Sequence, residues 1–183
     1  MKKAILLLIL VAVFISVFIY LDLQGTQKTA QPVPPKTVLG TSTIGKQTKF
    51  SGCLVNGALQ DSACTPGAVF PTATVNQICQ PGYSKSVRNV PESEKEKVYE
   101  EYGITEHHAG EYEVDHLVSL ELGGSNDLSN LWPEAANPKP GFHEKDAVEN
   151  YLHDQVCIGK ITLTEAQNEI SSNWLTVYKQ IFQ

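Results

Sequence analysis

Arginine is nearly missing from this chain of 183 residues: Arg88 stands alone among fourteen basic side chains. Positive charge as a whole is scarce, because twenty acidic residues leave a formal net charge of -6. The imbalance steepens beyond residue 50, where eight Lys and Arg face nineteen Asp and Glu, a net of -11. Such a surface repels polyanions at long range and excludes a bulk-electrostatic DNA coat, while leaving open a site that meets phosphates through a metal ion. The chain also lacks any CxxC pair, which argues against a structural zinc tetrad. No internal repeat is evident. Apolar residues at 42% and charged residues at 19% exclude a disordered, collagenous or multi-span membrane protein. The length suits one medium domain with an appendage.

That appendage is at the N-terminus. After Lys2 and Lys3, the eighteen residues from Ala4 to Leu21 contain Ser16 as the one clearly polar side chain. At ~1.5 Å per residue a helix of this length reaches roughly the ~30 Å of a hydrocarbon core. The exit, Phe18 to Leu23, offers no small-x-small cleavage site, so residues 1–23 read as an uncleaved signal anchor, with a cleaved signal as the alternative. Two lysines before the span and Asp22 after it place everything beyond outside the cytoplasm. Residues 24–50, rich in Gln, Thr, Pro, Gly and Lys, have tether composition. Residues 51–183 form the expected domain.

All four cysteines lie in that domain, and an even count in an exported protein favours two disulfides. Of three connectivities the favoured one joins Cys53 to Cys64 across a short loop and Cys79 to Cys157, tying the early domain to a late helix. Helix formers between Pro91 and Gly103 predict a helix over 92–102. Residues 112–122 (YEVDHLVSLEL) read as a strand stopped by Gly123 and Gly124, and 130–133 as a second short extended piece. A helix is expected from Phe142 or His143 to Cys157. Another starts at Thr162, which has capping-box spacing to Glu165, and carries a core stripe at Ala166, Ile170, Trp174, Tyr178 and Ile181. The fold class is therefore α+β.

Chemistry-bearing residues concentrate between Glu111 and Asn150. Asp115 suits a hard metal through oxygen, and the adjacent His116 suits a general base near neutral pH. Neighbouring strand side chains diverge, so the two serve two sides of one reaction centre rather than one ion. Asn130 follows fourteen residues after His116, and His143 opens a helix as the candidate last ligand. Arg88 and Lys145 are the candidate phosphate contacts, a guanidinium fork and a point charge.

Asp115-His116, Asn130 and His143, together with Leu120-Glu121-Leu122-Gly123-Gly124 and Asn130-Leu131-Trp132-Pro133-Glu134, resemble the ββα-metal core of HNH endonucleases. More closely the chain resembles small exported bacterial HNH proteins, through Thr65-Pro66-Gly67, Cys79-x-Pro81-Gly82-Tyr83, Ser86-Val87-Arg88, His143-x-Lys145-Asp146 and Val156-Cys157-x-Gly159, over about residues 64–180. The resemblance implies additional helices around that core and a metal-dependent endonuclease acting on DNA or RNA, with Asn130 bracing the histidine strand. The metal would be Mg²⁺ or Mn²⁺, with Zn²⁺ as an alternative. The gap from Asn130 to His143 exceeds the commonest HNH spacing, which leaves Asp146, Asn150 and His153 open as replacements for His143. Two other classes stay open: an anchored extracellular binding or adhesion module that keeps the fold without catalysis, and a metal-dependent hydrolase of another envelope polymer.

Overall fold

Residues 44–182 are described in a computed structural model; the expected span over residues 1–23 and the tether up to residue 43 lie outside the described residues. Among the described residues no helix is long and apolar enough to cross a membrane. Residues 44–50, expected in the tether, are fastened to the domain. Thr48 and Lys49 donate backbone hydrogen bonds to Ala63 O, Gln47 gives its amide to Glu101, and Lys49 pairs with Asp61 at 2.9 Å. Tether composition does not register these fastenings, because each depends on one backbone or side-chain polar group finding a partner elsewhere in the chain.

Three short helices come first: α1 (Val75–Ile78), α2 (Tyr83–Val87) and α3 (Glu92–Glu101). A two-stranded antiparallel sheet follows, β1 (Tyr112–His116) with β2 (Leu131–Ala135), and then α4 (Phe142–Cys157) and α5 (Leu163–Phe182). The register sets Glu113 opposite Glu134, Asp115 opposite Trp132 and His116 opposite Leu131. The class is α+β.

The first strand is shorter than its alternating sequence predicts. It stops at His116, and Leu120–Leu122 form a 3₁₀ turn opened by Ser119, whose side chain accepts the Glu121 N–H. Gly123 then takes φ 76, and a Cβ on Gly124 would fall 1.7 Å from Val118 O. The chain thus folds back on itself where an extended reading would run straight on. The expected second piece is displaced by one residue at its start and runs to Ala135.

The cap of α5 matches its sequence signal: Glu165 accepts from Thr162 N–H and Oγ1, and Thr162 Oγ1 accepts from Glu165 N–H. Within α5 the backbone breaks at Asn173 (φ -169, ψ 85), and Asn173 Oδ1 accepts the Thr176 N–H, so the side chain caps the second half. Ala166, Ile170, Trp174 and Val177 of α5 meet Val148, Leu152 and Val156 of α4 in one core, with Tyr178 and Ile181 at its edge. A second cluster, Val98, Tyr102, Leu117, Leu131 and Trp132, lies between α3 and the sheet around the Cys53–Cys64 disulfide. The other disulfide joins Cys79 to Cys157. Both pairings match the favoured connectivity, and two such bonds point to an oxidising, extracytoplasmic environment.

Candidate functional site

His116 ends β1 with 1% of its surface exposed. Its Nε2 lies 3.1 Å from Asn126 Oδ1. The orientation of the Asn126 amide is set independently, because Nδ2 donates to Val87 O at 2.8 Å and Oδ1 accepts the Asn89 N–H at 3.2 Å. An oxygen therefore faces the ring, so Nε2 carries the proton and Nδ1 keeps its lone pair. Among the described residues Nδ1 has no hydrogen-bond partner. Burial holds the His116 pKa down at about 4, against the opposing pull of Asp115, so the ring is neutral at physiological pH.

Asn130 explains why this histidine is held where it is. Its side chain is fully buried and uses all of its hydrogen-bonding capacity: Oδ1 accepts from Ala68 N–H and Val118 N–H, while Nδ2 donates to Val118 O and Ser125 O. The Asn130 carbonyl also accepts the Leu117 N–H at 2.7 Å. One residue thus pins both ends of the loop that joins β1 to β2.

On the other face of β1, Asp115 meets α4. Lys145 is completely buried, and its ammonium donates to Asp115 Oδ2 at 2.5 Å, to the His116 carbonyl at 2.8 Å and to Glu149. This corrects the expectation of Lys145 as a phosphate contact: three acceptors occupy three donors, and none of the side chain reaches solvent. Burial works against the lysine's charge, yet Asp115, Glu149 and Glu134 outweigh it and hold the pKa above its usual value. Asp115 is the converse case. Burial raises its pKa, but the Lys145 charge prevails and keeps the carboxyl below the ordinary range. Burial lifts Glu149 to about 7 despite Lys145. Glu134, also buried, has no hydrogen-bond partner for either oxygen among the described residues; burial, reinforced by Asp115 against the pull of Lys145, pushes its pKa well up.

The rim of the site is wet. Arg88 is exposed at the end of α2, and its charge reaches His116, Glu113 and Asp146. His143 is exposed on the first turn of α4 with its ring against Phe142 at 4.3 Å, and its charge acts on Asp146. Of the three open replacements, Asp146 is the one brought into the field of Asp115: burial, and then Asp115, raise its pKa. Asn150 is exposed and turns back to Asp146 O. His153 belongs to the far end of α4, with Nε2 3.1 Å from Ile78 O and 3.4 Å from Cys157 Sγ.

A hard divalent ion asks for oxygen donors. Asp115 and Asp146 supply them, and their mutual repulsion is what such an ion relieves. One Asp115 oxygen is engaged by Lys145, and among the described residues Asp115, Asp146 and His143 do not gather three ligand atoms into one group. Among the described residues, one group of three ligand atoms lies within 4.8 Å of one another and could hold a metal ion: Cys79, His153 and Cys157. Its two sulfurs are bonded to each other, so only the reduced form offers two thiolates and an imidazole.

No family model, curated protein or solved structure matches the chain. Sequence reasoning passed over Glu149, Glu134 and Asn126 as site residues. Glu149 did carry a signal, since it stands one helical turn beyond Lys145.

Proposed function

We propose that the chain is an HNH-type, metal-dependent endonuclease that hydrolyses DNA phosphodiester bonds outside the cytoplasm, tethered to the membrane through residues 1–23. The observation that carries this reading is His116: a buried, neutral imidazole whose proton is fixed on Nε2, leaving Nδ1 as an enclosed acceptor with no partner among the described residues, at the end of a strand braced by Asn130.

His116 Nδ1 takes the proton of the attacking water as the water attacks phosphorus in line with the departing 3′ oxygen. The products are a 5′-phosphate and a 3′-hydroxyl end. Arg88, the one guanidinium in the chain and exposed beside His116, would pair with non-bridging phosphate oxygens. Lys145 keeps Asp115 ionised and, through the His116 carbonyl, fixes the strand end that carries the base. A divalent ion, Mg²⁺ or Mn²⁺ by the hardness of its donors, would be held by Asp115 and Asp146 with His143 nearby, and would neutralise the scissile phosphate and the leaving oxygen.

The acidity of the domain favours a second reading, a non-catalytic binding module that keeps the fold. Purified protein incubated with plasmid in chelator, then with Mg²⁺, Mn²⁺ or Zn²⁺, separates the two. Metal-dependent nicking that His116→Ala reduces by ~10²-fold or more supports the nuclease. Nicking at the parental rate in that variant removes the mechanism, and no cleavage with any of the three metals leaves the binding module.

A further inference from the structure

We infer that Asn126 is a positioning residue for the proposed reaction: its one amide selects the proton-bearing nitrogen of His116 and latches the Arg88 segment beside that ring. The inference rests on the nuclease reading for its kinetic consequences, whereas its geometry stands by itself.

Three hydrogen bonds converge on this amide from two segments far apart in sequence. Val87 O and Asn89 N–H flank Arg88, and both bind Asn126, at 2.8 and 3.2 Å. His116 Nε2 binds the same oxygen at 3.1 Å. Because Nδ2 is committed to a carbonyl, the amide cannot rotate to offer an N–H to the ring without losing both backbone contacts. The imidazole accordingly has a single favourable tautomer, the one with a free Nδ1.

The loop holds Asn126 from either side. Ser125 N–H donates to Ala68 O, and Ser125 O receives Asn130 Nδ2. Asp127 O accepts the Asn130 N–H, and its carboxylate accepts from Ser125 Oγ at 2.6 Å. Asn130 therefore fixes the backbone on which Asn126 is mounted, and Asn126 reads out that position onto both the base and the guanidinium segment. The division of labour is testable, because oxygen and nitrogen of the amide have different tasks. The oxygen sets the tautomer, and the nitrogen closes the latch.

Two substitutions separate the tasks in the full-length chain. Asn126→Asp keeps an acceptor for Nε2–H and for Asn89 N–H but loses the donor to Val87 O. Asn126→Leu has similar bulk and neither function. Ring ¹⁵N spectra of labelled histidine at neutral pH should show, for the parent and Asn126→Asp, His116 as the Nε2–H tautomer with that proton in slow exchange with water. Asn126→Leu should lose the slow exchange and average the ring signals. In plasmid cleavage, kcat should fall about tenfold or more in Asn126→Leu and stay within about threefold in Asn126→Asp, while KM rises in both as the Arg88 segment loosens. A parental ring spectrum in Asn126→Leu overturns the inference, and so do equal kcat losses in the two variants. If the parent cuts no DNA, the nuclease reading falls, and the ring spectra still decide whether Asn126 sets the tautomer.

Discussion

Lys145 crosses from α4 to Asp115 on β1, 2.5 Å from its carboxylate, with no part of the lysine side chain exposed. A buried pair of this kind contributes through its completeness, since removing one partner strands the other's charge in a poorly solvated interior. Lys145→Met should cost about 3–5 kcal/mol in denaturant unfolding. Adding Glu149→Leu to that variant should recover part of the loss, because one of the stranded carboxyls disappears. Additive costs in this double-mutant cycle, with no recovery, would show that Lys145 and Glu149 are energetically independent.

Asn130→Ala should destabilise the domain by about 2–4 kcal/mol, because the buried polar groups of Val118, Ser125 and Ala68 lose partners that no water easily replaces. Urea unfolding measures this. Asn130→Asp should do little better than alanine, since it retains the two acceptor contacts and loses both donations.

The pH dependence of stability carries the signature of His116. Its folded-state pKa of about 4 lies below the ordinary histidine value, so between the two the unfolded chain binds a proton that the folded chain refuses. Stability from this group is present above about pH 6.5 and is lost as pH falls through 4, by an amount on the order of 3 kcal/mol. Glu149 and Glu134, with raised pKa values, act in the opposite direction. The His116 contribution is therefore read as the difference between the parent and His116→Gln across that window, in which those opposing contributions largely cancel. A parallel pair of curves would refute it.

The two disulfides should differ in worth. Cys53–Cys64 closes a separation of 11 residues and Cys79–Cys157 one of 78. By loop entropy the first should be worth roughly 3 kcal/mol and the second roughly 4.5 kcal/mol. Paired Cys→Ser variants compared by thermal unfolding test the order, and a larger loss from the short loop would contradict the entropic account.

The parts of this structure legible in sequence are the local ones. The Thr162–Glu165 cap and the stripe from Ala166 to Trp174 are each specified within one or a few turns of the same helix, and both form as written. The strand beyond His116 was not legible. Val118, Leu120 and Leu122 alternate as a strand would, and the fold-back instead rests on the Ser119 cap, the positive φ of Gly123 and the close approach of Gly124 to Val118 O, which the alternation outweighs in a reading by periodicity. The burial of Lys145 was hidden for a related reason: its helical partner Glu149 resembles a surface pair, and the decisive partner, Asp115, lies thirty residues away. Asn126 was hidden further still, since its role depends on Val87 and Asn89 thirty-nine and thirty-seven residues upstream.

α4 is fastened along its whole length: by Lys145 to β1 near one end, by Leu152 and its neighbours to α5 in the middle, and by Cys157 to Cys79 at the other end. Separating this helix from the sheet requires breaking a buried charge cluster and a hydrophobic core together, with a covalent bond limiting how far it can go. Partial opening is thereby removed from the repertoire of this region. The amides of Leu117 and Val118, held by Asn130 at the end of β1, should then exchange their hydrogens with solvent only through opening of the whole fold, so this strand end should be as durable as the domain itself.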